Sequence, residues 1–141
     1  MNSNQLEVLL VEDNQDDVML TLRAFKKHNF INKVLVLSDG AEALEHIFGS
    51  SGEPCTPRVI FLDLKLPKIN GLEVLRRLKA DERTRAIPVV VLTSSQEDQD
   101  VAECYKLGVN SYIVKPVEFE SFIRSVSELG LYWVLLNTPP V

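Results

Sequence analysis

This sequence predicts an α/β fold, a doubly wound sheet of five parallel strands, on three observations. Five short runs rich in Val, Ile and Leu recur along the chain, with stretches of helical periodicity between them. The runs are apolar throughout rather than alternating, which is the pattern of strands buried on both faces. The connections are short, and strict strand–helix alternation with short connections lays helices on both faces of a parallel sheet.

The first run, about 7–11, contains Val8-Leu9-Leu10-Val11. Val18, Leu22 and Phe25 follow at helical spacing behind Asp16-Asp17, and acids in a first turn suit a helix N-terminus. The second run, about 33–37, leads through Ser38-Asp39 to a helical face of Ala43, Leu44, Ile47 and Phe48. Val59-Ile60-Phe61-Leu62 forms the third run. Asn70 can cap the helix after it, which carries Val74, Leu75 and Leu78. The fourth run, 89–92, is Val89-Val90-Val91-Leu92. A helix over about 96–107 then begins Gln96-Glu97-Asp98 and stops at Gly108, a C′ glycine. The fifth run, 111–114, precedes a helix from about Val117 that carries Phe119, Phe122, Ile123, Val126, Leu129 and Trp133. No repeat or second domain interrupts the pattern, so the chain reads as one domain over 1–141 with a tail extension at about 130–141. The longest loop, Gly49 to Pro54, reads as a surface insertion.

The 141 residues can bury a sizeable core in one domain. A net charge of −5 argues against nonspecific nucleic-acid binding. The one basic cluster, Arg76-Arg77 with Lys79, Arg83 and Arg85, sits where a helix ends, and cations there favour the dipole. No apolar stretch reaches the roughly 20 residues of a membrane span, and Met1 to Gln5 is no signal peptide. Cys55 and Cys104 have neither metal-ligand spacing nor a disulfide framework, which suggests free thiols in a reducing cytoplasm.

Residues just past the carboxyl ends of parallel strands share one edge of the sheet, where ligands bind. Glu12-Asp13, Asp63, Thr93 and Lys115 all stand at such places, though the outermost lie about a hundred positions apart. Three crowded carboxylates repel, and a hard divalent cation such as Mg2+ resolves that repulsion. A metal, a hydroxyl and an ammonium beside a carboxylate make a site for a phosphoryl group. Asp63 is the candidate nucleophile and acceptor. Alone after a strand it would be a turn or cap aspartate, but the parts at the other strand ends outweigh that. Asp13 suits a direct metal ligand, with Glu12 acting through water or orienting it. Capping of the first helix would fit either Asp13 or Asn14. Thr93 can donate its hydroxyl to a phosphoryl oxygen, leaving Ser95 as the better cap for the fourth helix. Lys115 supplies a point charge, although a lysine at a strand end is ordinarily just solvated.

Glu12-Asp13, Asp63, Thr93 and Lys115-Pro116, with Pro67 and Gly71 in the loop after Asp63, resemble the receiver domain of two-component response regulators. The resemblance runs from about Leu6 to Leu129, and five separated elements match in order. It implies a flavodoxin-like strand order, 2-1-3-4-5. It also implies that Asp63 takes a phosphoryl group from a histidine kinase, with Mg2+ held by Asp13, Asp63 and the Lys65 backbone carbonyl. Tyr112 matches the aromatic switch residue that turns inward as the Thr93 hydroxyl moves; read alone, it is a half-buried strand aromatic. Leu92 to Ser95 and the segment Leu129 to Trp133 are similar to stand-alone regulators paired with bacterial phytochrome kinases. Two positions depart from the common pattern. Lys65 lies on the path of an incoming water, and Ser94 stands where a smaller residue usually keeps the pocket open; both bear on the lifetime of the phosphorylated state.

Two other functions compete with a phospho-accepting switch. A haloacid-dehalogenase-type phosphatase shares the aspartyl nucleophile, Mg2+, hydroxyl and lysine, but wants Asp-x-Asp where Asp63-Leu64-Lys65 stands. A flavin binder on the same fold wants a hydroxyl-rich phosphate loop where the acidic Glu12-Asp13 stands. With no output domain read after the fifth helix, signalling is expected to run through protein contacts or a phosphorelay. Leu131, Tyr132 and Leu135 fall off the core stripe of that helix and suggest a partner face. With the fourth helix and fifth strand, that face suits a homodimer.

Overall fold

The structure is a computed structural model that describes residues 8–27, 34–49, 54, 56–93, 98–109 and 111–114. The fifth helix, Lys115, Leu131, Tyr132 and Leu135, and the expected cap Ser95, lie outside the described residues.

Within them the order is β1 (Val8–Val11), α1 (Gln15–Lys27), β2 (Val34–Leu37), α2 (Gly40–Phe48), β3 (Val59–Leu62), α3 (Gly71–Ala80), β4 (Val89–Thr93), α4 (Asp98–Lys106) and β5 (Ser111–Val114). The five strands form one parallel sheet in the order β2-β1-β3-β4-β5. Every expected strand is present, with ends shifted by at most one residue.

The pleat divides the core in two. Leu9, Val11, Ile60, Leu62, Val89 and Val91 point to one face, where they pack with Ala43 and Ile47 of α2, Val74, Leu75 and Leu78 of α3 and Cys104 of α4. Their neighbours Val8, Leu10, Val59, Phe61, Val90 and Leu92 point to the other face, toward Val18, Leu22 and Phe25 of α1. A period of two along each strand therefore serves two helix layers, which is why the runs are apolar at every position. The Phe25 and Phe61 rings meet at 5.1 Å and 52°, a tilted pair between α1 and β3. Each fully buried Leu, Ile, Val or Phe contributes about 1.5–3 kcal/mol of burial free energy.

Side-chain caps set the helix starts. Asn14 accepts the N–H of Asp17, Asp39 that of Glu42, and Asn70 that of Glu73, at 2.9, 2.7 and 3.0 Å. The end of α4 carries the paired bonds of a Schellman motif, Gly108 N–H to Tyr105 and Val109 N–H to Cys104, with Gly108 at φ 95°. The basic cluster near the end of α3 is largely paired on the spot. Arg76 and Arg77 meet Glu73, Arg83 meets Asp81, and Lys79 donates to the carbonyls of Arg85 and Ile87.

Candidate metal and phosphoryl-acceptor site

Register builds the site. Val11 lies beside Leu62 in adjoining strands, so the residues following each, Glu12-Asp13 and Asp63, emerge side by side. Two backbone bonds extend the ladder one step past the strand ends: Asp63 N–H to Val11, and Glu12 N–H to Leu37. Glu12 and Asp63 are 3% and 5% exposed, while Asp13 is open to solvent. One carboxylate oxygen from each of the three lies within 4.8 Å of the others.

That donor set fits a hard divalent cation. It offers oxygen only, which excludes the softer metals that want thiolate or imidazole. The three carboxylates stand close enough that Asp13 and Asp63, with Glu12 beside them, could hold one such ion, which would offset their mutual repulsion. The three are not equivalent. Glu12 Oε2 accepts the N–H of Asn14 at 3.1 Å, a bond that ties this buried carboxylate to the loop. Asp63 Oδ1 accepts the N–H of Lys65 at 3.2 Å, which orients the carboxylate against its own loop.

The loop after Asp63 returns tightly to start α3. Gly71 donates to the carbonyl of Leu64 at 2.8 Å, and a Cβ on Gly71 would run into the Asp63 carbonyl oxygen. Only glycine permits this approach, which explains the glycine at this place in the motif. Thr93 ends β4 on the same edge, two residues past the Val91 that partners Leu62. The Lys65 side chain is exposed. Tyr112 is half-buried on β5 and packs against the core layer covered by α2, α3 and α4. A groove of about 780 Å³ between α2 and α3, floored by Leu44, Phe48 and Ile69, lies away from the carboxylates. No helix among the described residues is long and apolar enough to cross a membrane.

The sequence reading missed Asp39 and Lys68. Asp39, a buried acid, caps α2 and lies 3.5 Å from the Lys68 ammonium. The Glu42 N–H first, and Lys68 with it, hold the Asp39 carboxyl below the usual carboxylate range. Asp39-Gly40 ahead of a helical face signalled a cap, but nothing local signalled the partner 29 positions away.

Comparison with known proteins agrees with this geometry. Residues 8–127 match the response regulator receiver domain. The chain is 46% identical over 134 residues to the probable methanogenesis regulatory protein FilR2 of Methanothrix harundinacea, covering 94% of this chain and 86% of that protein. It is similar to the solved bacteriophytochrome response regulator RtBRR (49% identity, TM-score 0.81, 95% and 83% of the two chains). The Mn2+-bound form of response regulator Rcp1, known from Synechocystis, is similar at 33% identity and TM-score 0.77, covering 96% and 99%. The phosphorylated cyanobacterial phytochrome response regulator RcpA is similar at 32% identity and TM-score 0.75, covering 97% and 99%. The family match leaves the phosphatase alternative without support. The chain belongs to the receiver-domain family of two-component response regulators, which are phospho-accepting signalling switches.

Proposed function

We propose that Asp63 accepts a phosphoryl group from the phosphohistidine of a sensor histidine kinase, and that the chain signals the change through protein contacts. The observation that carries this reading is the convergence of the Glu12, Asp13 and Asp63 carboxylates within 4.8 Å at the carboxyl edge of the sheet. An Asp63 oxygen attacks phosphorus as the P–N bond breaks, and the kinase imidazole leaves with the electron pair and takes up a proton. Asp13, Asp63 and the Lys65 carbonyl would hold Mg2+, with Glu12 orienting the set or acting through water. Bound there, the ion supplies positive charge against the phosphoryl oxygens. Thr93 donates its hydroxyl to one of those oxygens, and Lys115 gives the acyl phosphate its ammonium. Tyr112 follows Thr93 inward, which turns the added charge of roughly −1.5 to −2 into a rearranged surface. That Rcp1 has a Mn2+-bound form and RcpA a phosphorylated form supports metal binding and phosphorylation in this reading.

The protein is a switch rather than a turnover enzyme, and its chemistry is limited to Mg2+-dependent self-phosphorylation and self-dephosphorylation. Similarity to phytochrome-associated regulators favours a phytochrome-like kinase as donor. The reading extends to a single cytoplasmic domain over 1–141 with a tail extension at about 130–141, and to a homodimer through the fourth helix, fifth strand and fifth helix. The test of the acceptor uses acetyl phosphate and Mg2+ without a kinase. Intact mass should show one added phosphoryl group, lost in Asp63→Asn and on chelation of the metal. Equal labelling of Asp63→Asn would overturn the assignment.

A further inference from the structure

Two crossings of the chain meet at Gly40 and Lys68. Lys68 has φ 68°, the left-handed region that side chains with a Cβ avoid. The N–H of Ile69 donates to the Pro67 carbonyl at 2.8 Å, closing a three-residue turn around Lys68 in the strained, positive-φ form. Such a turn persists only where surrounding structure over-determines it. Here the surrounding structure is the start of α2. The Gly40 N–H also points to the Pro67 carbonyl, at 3.4 Å. A Cβ on Gly40 would overlap the Ile69 carbonyl oxygen, so the two backbones touch where only glycine fits. The Asp39 carboxylate, fixed as the α2 cap, lies 3.5 Å from the Lys68 ammonium.

The other end of the loop leads to the acceptor. Gly71 is bonded to Leu64 and leaves no room for a Cβ beside the Asp63 carbonyl, and the Lys65 N–H is bonded to the Asp63 carboxylate. The segment from Asp63 to Gly71 is therefore held at both ends, with its one strained residue in the middle. We infer that Asp39, Gly40 and Lys68 are positioning residues for phosphoryl transfer: the start of α2 braces the acceptor loop through Pro67–Ile69, and the rate of uptake at Asp63 depends on that brace. The inference rests on the reading of Asp63 as the acceptor.

The test follows phosphoryl uptake from acetyl phosphate by intact mass, with thermal unfolding measured in parallel. Asp39→Asn keeps a good cap but removes the carboxylate charge that faces Lys68, and should slow uptake about two- to fivefold, the modest effect of an exposed ion pair. Gly40→Ala, which forces the backbones apart, should slow it about tenfold or more. The decisive variant is Lys68→Gly in the Asp39→Asn background. Glycine adopts positive φ without strain, so uptake should return toward the wild-type rate although the ion pair stays absent. Because glycine also stabilises the fold at this φ, uptake is compared well below each variant's unfolding transition, where a contribution to stability alone leaves the rate unchanged. If Gly40→Ala does not fold, the Asp39→Asn pair still decides. Wild-type uptake in Asp39→Asn, or a slow double variant, overturns the brace. Asp63→Asn run alongside separates the two readings: its labelling would defeat the acceptor, whereas an inert Asp63→Asn with wild-type uptake in Asp39→Asn defeats the brace alone.

Discussion

The Oδ1 of Asn14 accepts the backbone N–H of Asp17 at 2.9 Å, and this bond starts α1. The helix therefore has its cap without Asp13, whose exposed carboxylate stands next to the buried Asp63 instead. Glu12, by contrast, is buried and bonded to the Asn14 amide. Of the three consecutive residues Asn14 caps the helix, and in the proposed site Glu12 orients and Asp13 ligates.

That division predicts unequal losses of metal binding. In the proposed site Asp13→Ala would remove a direct ligand, and Glu12→Ala an orienting group, a change that typically weakens metal affinity about 10–100-fold. Titration of Mg2+ against Trp133 or tyrosine fluorescence should find the larger loss in Asp13→Ala. Similar losses in both variants would mean that the two acids share the ion.

Lys65 separates main-chain from side-chain roles at one residue. Its N–H is bonded to the Asp63 carboxylate, while its side chain is exposed. Formation of the phosphorylated state should therefore survive substitution, whereas its rate of decay should change. Shielding of the water's path predicts that Lys65→Asn loses phosphoryl faster by a few-fold, a barrier change on the order of 1 kcal/mol or less. Decay followed by intact mass after removal of acetyl phosphate measures this. An unchanged or slower decay would show that the ammonium points away.

The legible part of this fold is the part written in local pattern. Val8–Val11, Val59–Leu62 and Val89–Leu92 are apolar at every position because each strand feeds two helix layers, so both strand and burial can be read from a few letters. That Glu12, Asp63 and Thr93 share one edge follows once the strands are parallel; their order along it comes from the strand order that the receiver resemblance implies. Whether Asp13 or Asn14 caps α1 was open in the sequence, since both residue types suit the task. The contact of Gly40 with Ile69 and the positive φ of Lys68 had no local signature at all. They arise from two loops brought together by sheet order, and an ordinary lysine gives no sign that its backbone is strained.

The turn between α3 and β4 offers a test of stability apart from the site. Thr84 is fully buried, and its hydroxyl donates to the Leu78 carbonyl at 2.7 Å, one of the carbonyls that the end of α3 leaves without a helical partner. Thr84→Val keeps the shape and removes the donor, stranding a buried acceptor. The expected cost is about 1–3 kcal/mol, read as a lower urea midpoint with an unchanged slope. Phosphoryl uptake at temperatures well below the transition should stay at the wild-type rate. A loss below about 0.5 kcal/mol would mean that another donor or water replaces the hydroxyl.

The last prediction concerns the face beyond β5. At about 100° per residue, Phe119, Phe122, Val126, Leu129 and Trp133 fall on one side of the expected fifth helix, and Leu131 falls roughly opposite Phe122 with Leu135 near it. One buried stripe cannot take both sets; either the helix ends near Gly130 and the tail folds back over the sheet, or Leu131, Tyr132 and Leu135 serve a partner, the reading that sedimentation tests. On the described side of this face, α4 exposes Tyr105, 52% accessible, and β5 presents the half-buried Tyr112. A surface of this kind pairs most simply with its own copy about a two-fold axis. If Tyr112 moves with Thr93, phosphorylation at Asp63 changes the strength of that contact. Sedimentation should find a wild-type dimer, with an association constant shifted by acetyl phosphate. Leu131→Glu/Leu135→Glu should be monomeric yet take up phosphoryl normally, because neither residue belongs to the acceptor site. A wild type that stays monomeric at high concentration, phosphorylated or not, would defeat the homodimer and leave the face to a different protein.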